Sequence, residues 1–239
     1  MTTYGQFCPV AKAMELLDER WTLLVVRELL CGSRHFNELR RGVPRMSPAL
    51  LSKRLRTLCQ AGVLERHEDG NRITYRLMPA GEELRPVVEA LGTWGTRWVP
   101  HLGDEHLDPH LLLWDIHRNL DLEAMPPTRT VLAFCLHDAR PGARDWWVVA
   151  EPGEVDLCDA DPGHPVAARI EGSLEALTRV WVGELSWGVA LRSGSLALHA
   201  PSAVRRQVPT WLKLSAFATV PRPAATTRQR VDRRPMAPG

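Results

Sequence analysis

Seven basic side chains crowd into residues 33–56, namely Arg34, Arg40, Arg41, Arg45, Lys53, Arg54 and Arg56, against the single acid Glu38. Within that stretch Ser47-Pro48 reads as the start of a helix that runs to Gly62, because serine caps a helix and proline suits its first turn. Leu51, Leu55 and Leu58 then fall on one face at i, i+4 and i+7, while Ala49, Ser52, Lys53, Arg56 and Gln60 point the other way. Such a helix must lie on a core through its leucines and offer a hydrogen-bonding, cationic face outward. A face of this kind suits the major groove of double-stranded DNA, with Ser47, Ala49, Ser52, Lys53 and Arg56 near base edges and Arg34, Arg40, Arg41 and Arg54 placed for phosphates.

The flanking pattern supplies the rest of a reading domain over residues 1–103. Val10, Ala13, Met14 and Leu17 have helical spacing over 9–17, and residues 21–31 form a second helix, apolar almost all round and stopped by Gly32. A short third helix over 35–41 leads through Gly42-Val43-Pro44-Arg45 into the basic one. After Gly62 two strands flank a tight turn at Glu68-Asp69-Gly70-Asn71, a wing whose Asn71 and Arg72 would reach an adjoining minor groove. A long helix over 79–98 follows, with Leu84, Val87, Val88, Leu91, Trp94 and Trp98 on one stripe that needs a partner. Helix, helix, turn, capped basic helix, hairpin and apolar helix in that order read as a winged helix-turn-helix, mainly α with a β-hairpin wing.

Charge divides the chain. Residues 1–100 carry 15 Lys and Arg against 11 Asp and Glu, residues 101–220 carry 10 against 16, and residues 221–239 carry 5 against 1. An acidic middle cannot share the polyanionic partner of a basic start. Residues 104–220 read as a separate α+β domain, so that the fold class is α/β multi-domain. A helix capped by Asp108-Pro109 is expected over 108–120, strands over 130–135, 145–150, 155–157 and 166–171, and helices over 174–182 and 204–212. Residues 221–239 hold prolines and arginines with almost nothing to bury and read as a disordered tail. Apolar runs are far shorter than the roughly 20 residues that span a bilayer, and no leader-like segment opens the chain, which points to the cytoplasm and away from membranes. Five widely spaced cysteines without a CxxC pair argue against a disulfide framework or a structural zinc.

Phe7-Cys8-Pro9-Val10, Arg20-Trp21-Thr22-Leu23-Leu24, Phe36-Asn37-Glu38-Leu39-Arg40, residues 47–55 and Tyr75-Arg76-Leu77 together resemble the HxlR branch of MarR-like bacterial regulators, over about residues 5–98. The resemblance implies a homodimer joined through the first and last helices of this region, hence through Val10, Met14, Leu84, Val88, Leu91, Trp94 and Trp98, with two recognition helices on a pseudo-palindromic operator. Cys8 stands just before Pro9, where a helix N-terminus favours a thiolate and eases oxidation. In some members of the resembling family a cysteine at this place senses oxidants or electrophiles; the other reading of Cys8 is a small apolar residue packed in the dimer seam.

The later run Trp181-Val182-Gly183-Glu184-Leu185, residues 190–196 and Trp211-Leu212 resembles the closing part of sterol-carrier-protein-2-like (SCP2-like) domains, which enclose apolar ligands. Trp114, Trp147, Trp181, Trp187 and Trp211 are the candidate pocket residues for an apolar effector, and a purely structural domain is the alternative. His101, Asp104, Glu105, His106, Asp108, His110, Asp115 and His117 are dense in metal-ligand types, yet a helix starting at Pro109 keeps His106 and His110 off one face, and no metal site is expected. No phosphate loop, GxSxG or HExxH occurs. A regulator without cofactor or catalysis is the reading preferred over a lipid carrier or metal-dependent enzyme domain with an appended DNA-binding module.

Overall fold

The computed structural model describes residues 3–99 and 107–222. The chain divides into two compact units, Met1–Leu91 and Gly92–Gly239.

The first unit begins with α1 (Pro9–Leu17), α2 (Thr22–Leu30), α3 (Phe36–Gly42) and α4 (Pro48–Gln60). Its core is aliphatic: Val25, Val26 and Leu29 of α2 meet Leu39, Leu51, Leu55 and Leu58, closed below by Val63 and Leu64. Each fully buried leucine there contributes about 2 kcal/mol. The hairpin pairs β1 (Leu64–Asp69) with β2 (Arg72–Leu77) in antiparallel register from Leu64↔Leu77 to Asp69↔Arg72. Gly70 takes the first of the two turn positions with φ +55°, which a side chain would resist. The hairpin is tied back to the helices by Tyr75 N–H donating to the Arg34 carbonyl at 2.8 Å, and by His35 Nδ1 at 3.1 Å from the Ile73 carbonyl.

The sequence pattern predicts one helix over 79–98, but the chain forms α5 (Pro79–Glu82) and α6 (Arg85–Trp98). Pro86 explains the break: it has no N–H to give the Glu82 carbonyl, and its ring crowds that oxygen. Gly81 lets α5 pass close to the hairpin base, since a Cβ there would lie 2.4 Å from the Val63 carbonyl oxygen. The division between the units falls inside α6.

In the second unit α7 (Pro109–Arg118) is capped as expected, the Asp108 carboxylate accepting from Leu111 N–H at 3.1 Å. A five-stranded sheet follows, of β3 (Thr130–Leu136), β4 (Asp145–Glu151), β5 (Glu154–Cys158), β6 (Val166–Gly172) and β7 (Leu196–His199), in the order β5-β4-β3-β6-β7. Only β3 and β6 run parallel; the other pairs are antiparallel. Helices α8 (Leu174–Trp181), α9 (Trp187–Ser193) and α10 (Ser202–Trp211) complete it. The pattern anticipates α8, α10 and four strands but not α9 or β7. Strand β3 is buried along nearly its whole length, and Phe134, Leu132, Ile170, Leu113, Leu177 and Trp211 fill the core around it. The chain is thus mixed α/β, a winged helix-turn-helix-like region followed by a β-sheet part. Most of the expected disordered tail, 223–239, lies outside the described residues, as do His101, Asp104, Glu105 and His106. Among the described residues no helix is long and apolar enough to cross a membrane.

Candidate nucleic-acid interface

The basic helix is built as its letters suggest. Ser47 Oγ accepts from Leu50 N–H at 3.3 Å, and Pro48 occupies the first turn. Leu51, Leu55 and Leu58 are fully buried, so Ser47, Ala49, Ser52, Lys53, Arg56 and Gln60 are all exposed. The open face of α4 therefore carries two cations, two hydroxyls, an amide and one methyl, a set able to donate to and accept from base edges. Arg34, Arg40 and Arg41 around α3, and Asn71 and Arg72 at the wing tip, are also exposed. Near α3, the Glu38 carboxylate accepts from Arg34 N–H at 2.6 Å and His35 N–H at 2.9 Å, satisfying donors that a helix start leaves open.

Arg54 corrects an expectation. The sequence pattern places it with the phosphate-contacting arginines, but its side chain is 8% exposed, pairing with the Glu19 carboxylate while Nε donates to the Arg20 carbonyl at 3.1 Å. It lies on the flank of the leucine stripe, which turns it inward. Glu19 is 35 residues away in sequence, and no local spacing signals the pair. A second buried ion pair joins Arg27 to Glu28, whose side chain is wholly buried, with Arg27 also donating to the Gly42 carbonyl at 3.0 Å.

On the wing, Arg66 and Glu68 pair at 2.7 Å. The Arg66 hydrogen bond holds the Glu68 carboxyl below its ordinary range, and Glu68 in turn raises the Arg66 guanidinium.

The expected dimer residues separate into two groups. Leu84 and Val88 turn toward the core of the first unit, whereas Val10, Met14, Leu91, Trp94 and Trp98 remain exposed, Trp94 at 59%, and Phe7 is fully exposed. Cys8 is the N-cap residue of α1 and half-buried. The arm before it folds along α1: Thr3 Oγ1 donates to Glu15 at 2.7 Å, and the Tyr4 hydroxyl donates to Asp18 at 2.5 Å, which raises the phenol. Burial pushes the Cys59 thiol up, and burial with the neighbouring Asp145 does the same at Cys135, making both poorer nucleophiles.

In the second unit the candidate pocket tryptophans do not converge. A small, shallow apolar hollow is lined by Ile116, Leu177, Val180, Trp181, Trp187, Leu212 and Leu214. Trp181 and Trp187 are there. Trp211 instead fills the core with Nε1 donating to the Ala124 carbonyl at 2.9 Å, Trp114 is buried and stacked on His117 at 4.2 Å between ring centroids, and Trp147 sits on β4. Large flat rings serve cores as readily as pockets, and three of the five lie outside the hollow. The histidines and carboxylates of α7 have structural partners: Asp108 caps it, Asp115 pairs with Arg118, and His110 meets the Trp146 ring edge-on. Among the described residues no group of three or more His, Cys, Asp or Glu is arranged to hold a metal.

Residues 16–102 match the HxlR-like helix-turn-helix family model. An HTH-type transcriptional regulator of Mycobacterium tuberculosis is 39% identical over 119 residues, 43% of this chain and 73% of the relative. The HTH-type transcriptional regulator YvaP of Bacillus subtilis is 37% identical over 99 residues, 40% of this chain and 92% of the relative. Among solved structures, the reduced form of the transcriptional regulator YodB from B. subtilis is 28% identical over 39% of this chain and 96% of that one, with a TM-score of 0.35. With an open polar face on a leucine-seated helix, a hairpin wing beside it and relatives of this kind, the chain belongs to the HxlR-like helix-turn-helix family of DNA-binding transcriptional regulators.

Proposed function

We propose that the chain is a cytoplasmic homodimer that reads a pseudo-palindromic operator through two copies of α4. The observation that carries this reading is the open cationic face of α4 above buried leucines. Ser47, Ala49, Ser52, Lys53 and Arg56 meet base edges, Arg34, Arg40 and Arg41 hold phosphates, and Asn71 and Arg72 enter the adjoining minor groove. Residues 1–103 form the reading and dimerising module. Val10 and Met14 of α1, with Leu91, Trp94 and Trp98 of α6, supply the dimer contact, and what supports that role is that each of these large apolar side chains stands exposed. Lys53→Ala or Arg56→Ala costs about 1 to 3 kcal/mol at a specific site and little on random DNA. Equal losses on both would make these phosphate contacts.

The module answers to thiol oxidation at Cys8 or to a small apolar effector held by residues 104–220, an SCP2-like domain. Support for the first is the place of Cys8 at a helix N-terminus. Support for the second is the apolar lining of the hollow beside Trp181 and Trp187. DNA binding repeated with diamide and with octanoate tests both. Release by diamide that persists in Cys8→Ser removes the thiol reading, and binding indifferent to octanoate removes the effector reading.

A further inference from the structure

We infer that Arg54 is a positioning residue: through Glu19 and the Arg20 carbonyl it fixes the rotation of the recognition helix about its own axis, and it does not touch DNA. The inference rests on α4 being the element that reads DNA.

At about 100° per residue, Leu51, Leu55 and Leu58 occupy a narrow arc of α4, and Ala49, Ser52, Lys53 and Arg56 lie roughly opposite. Apolar contact is non-directional, so leucines on an aliphatic bed leave the helix free to roll by a fraction of a turn. A roll of that size carries Lys53 and Arg56 off their base edges. Arg54 stands on the flank of the arc, about 60° from Leu51, where two directional, charge-assisted hydrogen bonds resist rotation best.

Its partners are themselves fixed. Glu19 and Arg20 open the turn between α1 and α2, closed by Thr22 N–H donating to the Glu19 carbonyl at 3.0 Å. Trp21 in that turn has φ +79°, and among the described residues no other non-glycine has positive φ. A left-handed tryptophan persists only where surrounding contacts over-determine it. Arg20 lies over the Trp21 ring, 5.3 Å from its centroid, while its carbonyl accepts from Arg54. The guanidinium thus grips a rigid corner and not a yielding loop. Lysine, a single point donor, could not replace the fork that spans carboxylate and carbonyl.

The test uses the full-length chain, a duplex it selects from a random-sequence library, and poly(dI-dC) as non-specific DNA. Glu19→Gln is the decisive variant because Glu19 is 51% exposed and the change is nearly isosteric. On charge alone, removing a carboxylate from a DNA-binding unit strengthens binding to both duplexes. The clamp requires the opposite at the selected duplex: a loss of about tenfold with poly(dI-dC) binding unchanged or tighter. Arg54→Lys is expected to give the same specific loss without altering the salt dependence on poly(dI-dC), and Glu19→Gln/Arg54→Lys to add little to either. A merely structural role lowers the active fraction equally for both duplexes and leaves their ratio unmoved. An unmoved ratio in Glu19→Gln, or a salt slope reduced by about one counterion in Arg54→Gln, overturns the inference. If the unaltered protein selects no sequence at all, the operator reading fails first and the inference with it.

Discussion

The two units bury different things. The first buries mainly aliphatic side chains, with Trp21, Phe36 and Tyr75 only at their margin, and among its described residues it takes Glu28 and Arg54 inside with them. The second packs Phe134, Trp146, Trp181 and Trp211 around a sheet, and among its described residues it buries no Asp, Glu, Lys or Arg. A sheet ladder already dictates how its strands lie, so the second unit needs only bulk to fill it. Four short helices on leucine and valine have no such ladder. Their orientation comes from polar clamps, Arg27–Glu28 at the α2–α3 crossing and Arg54–Glu19 at the α1–α2 turn, which reward one geometry over its neighbours even where they add little stability. For a unit that must present side chains to a groove, orientation is the property that matters.

The comparison can be broken at several points. Trp211→Ala empties a site with no exposure and removes the bond to Ala124, and is expected to destabilise the second unit by about 4 kcal/mol. Urea unfolding followed by tryptophan fluorescence measures that loss, and DNA binding of the folded fraction should be retained; a parallel fall in affinity would mean the units are not energetically separate. Gly42→Ala strikes the clamp of the first unit, since the new Cβ would stand 1.8 Å from Glu28 Oε2, and about 3 kcal/mol is expected from calorimetry. A near-neutral result would show that the crossing yields easily and is no clamp. The smallest effect is on the wing. Because the Glu68 carboxyl is held low by Arg66, its contribution is present above the ordinary glutamate range and fades as pH falls through its lowered value. An NMR titration should find Glu68 below an ordinary glutamate and restored by Arg66→Gln.

Periodicity made the first unit legible. The leucine spacing of α4, its Ser-Pro start and the Gly70 turn each act within a few residues, and each is found in place. Pro86 was equally visible in the sequence, yet the continuous stripe from Leu84 to Trp98 concealed the break that it causes. Helix α9 had its signals too, Ser186 accepting from Val189 N–H at 3.3 Å and Gly194 at φ +74°, but it is only seven residues long and its stripe is too brief to register. What no local pattern carries is the partner of a side chain far along the chain. Arg54 reads as one more cation beside Lys53 and Arg56 until Glu19 is brought to it. The tryptophans of the second unit fail for a related reason: composition counts them, while the packing of α7, α8, α9 and α10 decides that Trp181 and Trp187 line a hollow and that Trp114 and Trp211 are buried elsewhere.

Gly42 and Glu28 have a consequence for how this sequence can drift. The carboxylate occupies the volume that a methyl group at 42 would need, so positions 28 and 42 are not independent letters. A change at 42 made first meets a collision. A shortening at 28 made first strips Arg27 of its carboxylate and leaves a void beside the α3 backbone. Both single steps are expected to lower stability, and the double change refills the crossing while leaving Arg27 without its carboxylate. The two routes to the same pair of residues therefore pass through different intermediates, one crowded at 42 and one hollow at 28.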